Sequence, residues 1–149
     1  DHKAWTEATC NSIKAALSIE CTATPKVDFK TFLTDLGEEK IKGMFRMGWV
    51  MDYPSIENFL APIYTAGADS NYFAYDNPAF GKALQEAAAA PSLDEANAKY
   101  QEAEKVISAD FPTIPMYYGK ATMGFSEKVG DFKITPFGNP DYASMTAKS

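Results

Sequence analysis

The chain carries a single histidine, His2, and only two cysteines, Cys10 and Cys21. That shortage argues against most nucleophilic chemistry. A lone imidazole at the chain start is poorly placed as a general base, neither thiol has a base nearby, and no G-x-S-x-G elbow occurs. Two thiols and one imidazole also fall short of a metal-ligand set, so neither a metal nor a cofactor is expected. No run approaches the roughly 18 apolar residues that a membrane-spanning helix needs. Positive charge is scarce too: 14 Lys and Arg stand against 20 Asp and Glu, a net charge of −6. This balance disfavours nucleic acid as a partner and permits cationic or zwitterionic ligands. What remains is the material of a folded domain, since 149 residues with 46% hydrophobic side chains suffice for one real core. The chain begins at Asp1 without a signal sequence, and so reads as mature material or as a piece of a longer protein.

Local patterns alternate helix and strand, which predicts an α/β domain. A first helix bearing Trp5, Ala8, Ile13, Ala16 and Leu17 ends near Ser18, with an extended stretch from Ile19 to Ala23. A second helix is predicted from Asp28 to Leu36, stopped by Gly37. From Lys42 to Val50 the pattern is that of a strand, with Phe45, Met47 and Trp49 on one face and Met44, Arg46 and Gly48 on the other. Asn77 caps a helix with Pro78 at its first position, where the missing proline donor costs nothing. Its apolar face carries Phe80, Ala83, Leu84, Ala87 and Ala88, and Pro91 ends it. Ser92-Leu93-Asp94-Glu95 forms a capping box for a helix with Ala96, Tyr100, Ala103, Val106 and Ile107 at core spacing, closed by Pro112. Thr113 to Tyr118 reads as a strand, with Pro115 inside it favouring an edge or a bend. The stretch from Gly130 to Ser149, with Pro136, Gly138 and Pro140, reads as an irregular tail.

The richest segment is Gly48-Trp49-Val50-Met51-Asp52-Tyr53-Pro54, followed by Phe59-Leu60. It sets an aromatic face and a carboxylate three residues apart where the predicted strand ends, and strand ends are where open α/β sheets hold ligands. The ring suits a ligand wall and the carboxylate a cation. The competing reading makes Trp49 a core residue and Asp52 a cap for the turn or helix starting near Ser55.

The order of segments resembles the C-terminal part of the extracytoplasmic solute-binding proteins of oligopeptide and dipeptide ABC transporters. The G-W-x-x-D-Y-P segment with its F-L supplies Gly48, Trp49, Asp52, Tyr53, Pro54, Phe59 and Leu60. Asn71, Tyr75 and the N-P-x-F of Asn77, Pro78 and Phe80 follow, then Glu102-Ala103-Glu104-Lys105 and the proline-flanked Phe111 to Tyr118. Each piece alone is weak, and their shared order carries the resemblance. Gly81 departs from it, standing where the family usually has an acidic residue.

The resemblance implies the C-terminal lobe of a two-lobed, class II periplasmic-binding-protein-like fold, with residues 1–118 in a partial ligand-binding lobe and residues 119–149 as hinge-crossing segment and tail. Pro115, Gly119 and Gly124 would lie on the hinge side. The implied function is capture of peptides for a membrane permease, outside the cytoplasm, by a protein that includes a missing N-terminal lobe and is lipid-anchored through it. Asp52 would then pair with the ligand's α-ammonium group, Trp49 would wall its first residues, and Arg46 would lie near its carboxylate end. Strand geometry puts Arg46 and Trp49 on opposite faces, which favours an indirect role for Arg46. Tyr117 or Tyr118 would face the cleft or pack against the preceding helices, and Tyr72 and Tyr75 would line the pocket or anchor the loop from Ala66 to Asp76. Relatives that carry oligosaccharides, haem or nickel complexes keep such ligands open as alternatives, and a small hydrolase using Asp52 and Glu57 is a remote one. The return from helix to extended chain brings Cys10 and Cys21 within reach of a bridge, and export to an oxidising compartment favours it over two buried thiols.

Overall fold

The computed structural model describes residues 2–148; Asp1, where the chain starts, and Ser149, the last residue of the predicted tail, lie outside the described residues. Helix α1, Lys3–Leu17, ends where Ser18 turns left-handed (φ 56°) and donates its N–H to the Lys14 carbonyl. Helix α2 is Phe29–Gly37, capped by the Asp28 carboxylate, which accepts from the Thr31 amide at 2.8 Å. Gly37 is therefore the last helical residue, not the stop, and the left-handed position falls two residues later at Glu39 (φ 53°). Cys10 and Cys21 are joined in a disulfide. These elements belong to a compact unit that ends at Phe45, in which Phe32 meets Phe29 and Phe45 ring to ring, with centroids 6.2 and 6.3 Å apart.

The second compact unit begins at Arg46. It contains α3 (Glu57–Tyr64), α4 (Pro78–Ala88) and α5 (Leu93–Asp110). The predicted stops and starts appear as bonds. Asn77 Oδ1 accepts from the amides of Ala79 and Phe80, with Pro78 at the first helical position. Ser92 Oγ accepts from the Glu95 amide at 3.3 Å. Phe111 closes α5 in the left-handed region just before Pro112. The cap of α4 forms with Gly81 in place of an acidic residue, because Asn77 supplies the acceptor.

Helices α4 and α5 pack side by side, with α3 against α5. Their shared core is Leu60, Phe80, Leu84, Ala87, Tyr100, Ala103 and Ile107. Ala88, predicted on the apolar face of α4, is exposed, one position past the stripe that Ala87 completes. Tyr64 and Tyr75 add an aromatic layer over Phe80, with centroids 6.2 and 5.8 Å from it. The loop from Ala66 to Asp76 is held from inside. Asn71 Nδ2 donates to the carbonyls of Thr65 and Tyr75, and Asn71 Oδ1 accepts the Tyr75 amide. The Tyr75 hydroxyl donates to Asp110 Oδ2 at 2.6 Å, so Tyr75 anchors this loop to the end of α5.

Two predicted strands are corrected. Residues 42–50 and 113–118 form no ladder, and the two-stranded sheet is made elsewhere, in the tail. Alternation persists without pairing: Phe45, Met47 and Trp49 are half-buried, whereas Met44, Arg46, Gly48 and Val50 are exposed. A period of two sets which faces differ, but a strand also needs a partner's N–H and C=O groups. Over 113–118 the side chains of Ile114, Met116 and Tyr117 are about half exposed, and Tyr118 is 99% exposed, so Tyr118 does not pack against the preceding helices. The tail is less irregular than predicted. Strand β1 (Val129–Gly130) pairs antiparallel with β2 (Thr146–Ala147), Ile134 bridges to Pro140, and Gly138 takes the turn at φ 79°. Gly130 is required there, because a Cβ would run into Thr146 Oγ1.

Candidate functional site

The segment around Asp52 is organised by a residue that its motif did not single out. Asn58 lies in the first turn of α3 and is 1% exposed. A buried amide must satisfy its polar atoms locally, and Asn58 does so on the segment that precedes its own helix. Its Oδ1 accepts two N–H groups, the Trp49 indole at 3.2 Å and the Asp52 backbone amide at 2.8 Å. Its Nδ2 donates to Asp52 Oδ2 at 3.2 Å. The partners fix the orientation of the amide, since a flipped group would turn its own N–H atoms toward two donors. A single side chain thus ties the ring and the carboxylate together.

Asp52 therefore does not cap α3. The helix starts at Glu57 without a side-chain cap on Ile56, and Ser55 Oγ accepts the Glu57 amide instead. Asp52 is exposed, and among the described residues no hydrogen bond occupies its Oδ1. Glu57 is not paired with Asp52 as a carboxylate couple. It accepts a short hydrogen bond from the Tyr53 hydroxyl, which pushes the Tyr53 pKa up, against a smaller lowering by Asn58.

The other predicted site residues are not gathered here. Arg46 is exposed, and its guanidinium folds back over Gly48, where a Cβ would sit 3.4 Å from Nη2. Tyr117 is 58% exposed on the unpaired 113–118 stretch. An open depression of about 340 Å³ lies beside the segment, between Met51, Pro54, Ile56 and Phe59 on one side and Leu93 and Asn97 of α5 on the other; neither Trp49 nor Asp52 lines it. Asn58 is marked in the sequence only by its setting. It is a polar residue between Ile56 and Leu60, at a position of α3 that faces inward.

The arrangement offers an exposed carboxylate beside an indole, both fixed from behind. It can hold a cation next to an apolar surface. Among the described residues no group of three His, Cys, Asp or Glu side chains is placed to hold a metal ion, and no helix is long and apolar enough to cross a membrane.

No family model matches the chain. It is 26% identical over 105 residues to a probable di/tripeptide-binding protein 5 of Pseudomonas aeruginosa, a match covering 68% of this chain and 20% of that protein. It is 32% identical over 74 residues to the periplasmic murein peptide-binding protein MppA of Escherichia coli, covering 50% of this chain and 14% of MppA. Among solved structures, the unliganded open form of the MppA periplasmic murein tripeptide-binding protein matches 71% of this chain and 20% of its own, with 25% identity and a TM-score of 0.65. The chain thus spans a fifth or less of the length of these relatives. In sequence and in fold, the chain is similar to periplasmic peptide-binding proteins, as the order of its segments implied.

Proposed function

We propose that this chain is part of the C-terminal, ligand-binding lobe of a two-lobed extracytoplasmic receptor that captures peptides for an ABC importer and carries out no chemistry on them. Asp52 reads the free amino terminus and Trp49 walls the first residues of the ligand. Residues 1–118 form the partial lobe, and residues 119–149 form the return across the hinge and the tail. The stretches 42–50 and 113–118, which form no ladder among the described residues, are strands whose neighbours come from the rest of a longer protein; Tyr117 faces the cleft from there, and Arg46 acts on it indirectly. The permease is the membrane partner, the second lobe supplies the remaining contacts, and a lipid anchor on that longer protein is part of the same reading. An oligosaccharide or a metal complex is the weaker ligand class, since the named relatives are peptide binders.

The observation that carries this reading is the exposed Asp52 carboxylate, held through one oxygen and open at the other, beside the Trp49 ring. A desolvated ammonium–carboxylate pair is worth about 2–5 kcal/mol when one partner is removed. Calorimetric titration of the full-length protein with free and N-acetylated di- to pentapeptides tests it. Asp52→Asn should weaken free-amine peptides by about 30-fold or more, a factor equivalent to roughly 2 kcal/mol, and acetylated pools should bind poorly to both forms. Equal binding of free and acetylated pools, or no loss in Asp52→Asn, refutes the reading.

A further inference from the structure

We infer that Asn58 is the positioning residue of this site, holding the Asp52 carboxylate and the Trp49 ring in one fixed arrangement so that the ligand meets both at once. The inference rests on the peptide reading above and adds a residue to it. Three bonds from one buried side chain converge on the two groups that would touch the ligand. The amide satisfies each partner in a different way. The backbone N–H of Asp52 sets the turn, the indole N–H sets the ring, and the bond to Oδ2 leaves Oδ1 without a hydrogen bond and available to an incoming ammonium. A rotatable carboxylate would lose orientational freedom on binding, whereas one already held does not. Burial at 1% exposure supports this role, because bulk water hardly competes for the amide's hydrogen bonds.

Removing the amide should therefore weaken binding chiefly through Asp52, with a smaller part through the Trp49 ring. Hydrogen bonds to charged groups are typically worth enough that Asn58→Ala should cost about tenfold to a hundredfold in affinity for a free-amine tripeptide. In an Asp52→Asn background the same substitution should cost clearly less than in wild type, leaving only the part that runs through Trp49, since coupled residues are non-additive. Asn58→Asp serves as a variant that keeps the acceptor for both N–H groups and so preserves the turn. It puts a second carboxylate oxygen where Nδ2 now meets Asp52 at 3.2 Å, and two such carboxylates share a proton. The other titratable groups nearby are Tyr53, which bonds Asn58, and Glu57, which faces Tyr53 and, from α5, Tyr100. Its affinity should fall as pH drops from about 7 to about 5.5, a range in which the peptide's α-amine is already protonated, while that of the wild type stays level.

The experiment is calorimetric titration of the full-length protein with a free-amine tripeptide, for wild type, Asp52→Asn, Asn58→Ala, the double variant and Asn58→Asp, with thermal unfolding recorded for each. Non-additive losses together with a pH-dependent Asn58→Asp support the positioning role. Additive losses, or a level pH profile in Asn58→Asp, overturn it while leaving the peptide reading intact. No loss in Asp52→Asn overturns both, and identifies the peptide reading as the step that failed.

Discussion

Tyr75→Phe should change how the helical core responds to alkali more than how it behaves at neutral pH. The ring packs 6.0 Å from Tyr64 and 5.8 Å from Phe80, contacts that phenylalanine keeps. What is lost is the hydroxyl on Asp110 Oδ2, an oxygen that Asn77 Nδ2 also reaches at 2.6 Å. Burial first, and the Asp110 hydrogen bond second, push the Tyr75 phenol up to about 12 from the usual 10.0. A raised folded pKa gives a contribution that is complete below the unfolded value. It is lost as pH rises from about 10 towards 12, where the unfolded chain ionises first. Two units correspond to about 2.7 kcal/mol, and screening of this partly exposed pair reduces that to on the order of 1 kcal/mol. Asp110 works in the opposite direction. The Tyr75 hydroxyl first and Asn77 second hold its carboxyl below 3.8, so its contribution is present above that value and is lost as pH falls through the lower folded one. Urea unfolding followed by far-UV circular dichroism at about pH 9 and about pH 11.5 should show wild type losing on the order of 1 kcal/mol more than Tyr75→Phe. The variant's acid limb should also be shallower. Equal alkaline losses in the two proteins would refute the argument, because the remaining tyrosines are common to both.

Two further outcomes follow from local geometry. A Cβ at Gly81 meets nothing within 4 Å in the first turns of α4, so Gly81→Ala should stabilise the protein by about 0.5–1 kcal/mol in urea unfolding; destabilisation would mean that the helix there is not as described. The Cys10–Cys21 bridge closes a sequence separation of 11, for which chain entropy gives about 3 kcal/mol, so Cys10→Ser with Cys21→Ser should lower the stability of α1 by about that much. Amide hydrogen exchange across Lys3–Leu17 checks it, and unchanged protection would mean that the bridge constrains nothing.

Most helix boundaries were legible because the interactions that set them span only a few residues. Asn77 with Pro78, and Ser92 with Glu95, are caps whose donors and acceptors sit two or three positions apart. The helical stripes of α4 and α5 predicted the core residues Phe80, Leu84, Tyr100, Ala103 and Ile107 for the same reason, since a period fixes which side chains share a face. The spacing of Cys10 and Cys21 and the order of the G-W-x-x-D-Y-P and N-P-x-F segments were likewise written in the chain.

Whatever depends on a distant partner was decided only by the tertiary structure. Residues 42–50 have the alternation of a strand, yet pairing depends on a neighbouring backbone that local pattern does not specify. The tail's ladder joins Val129 to Ala147, 18 positions apart, and so looked irregular when read along the chain. Asp110 gained its role from Tyr75 and Asn77 across the α4–α5 packing. Asn58 shows the difference most directly. As a letter in the sequence it is one more asparagine, and only burial of α3 against its own leading segment forces that amide to satisfy itself on Trp49 and Asp52. The cost of an unpaired buried amide turns a core position into the support of the site.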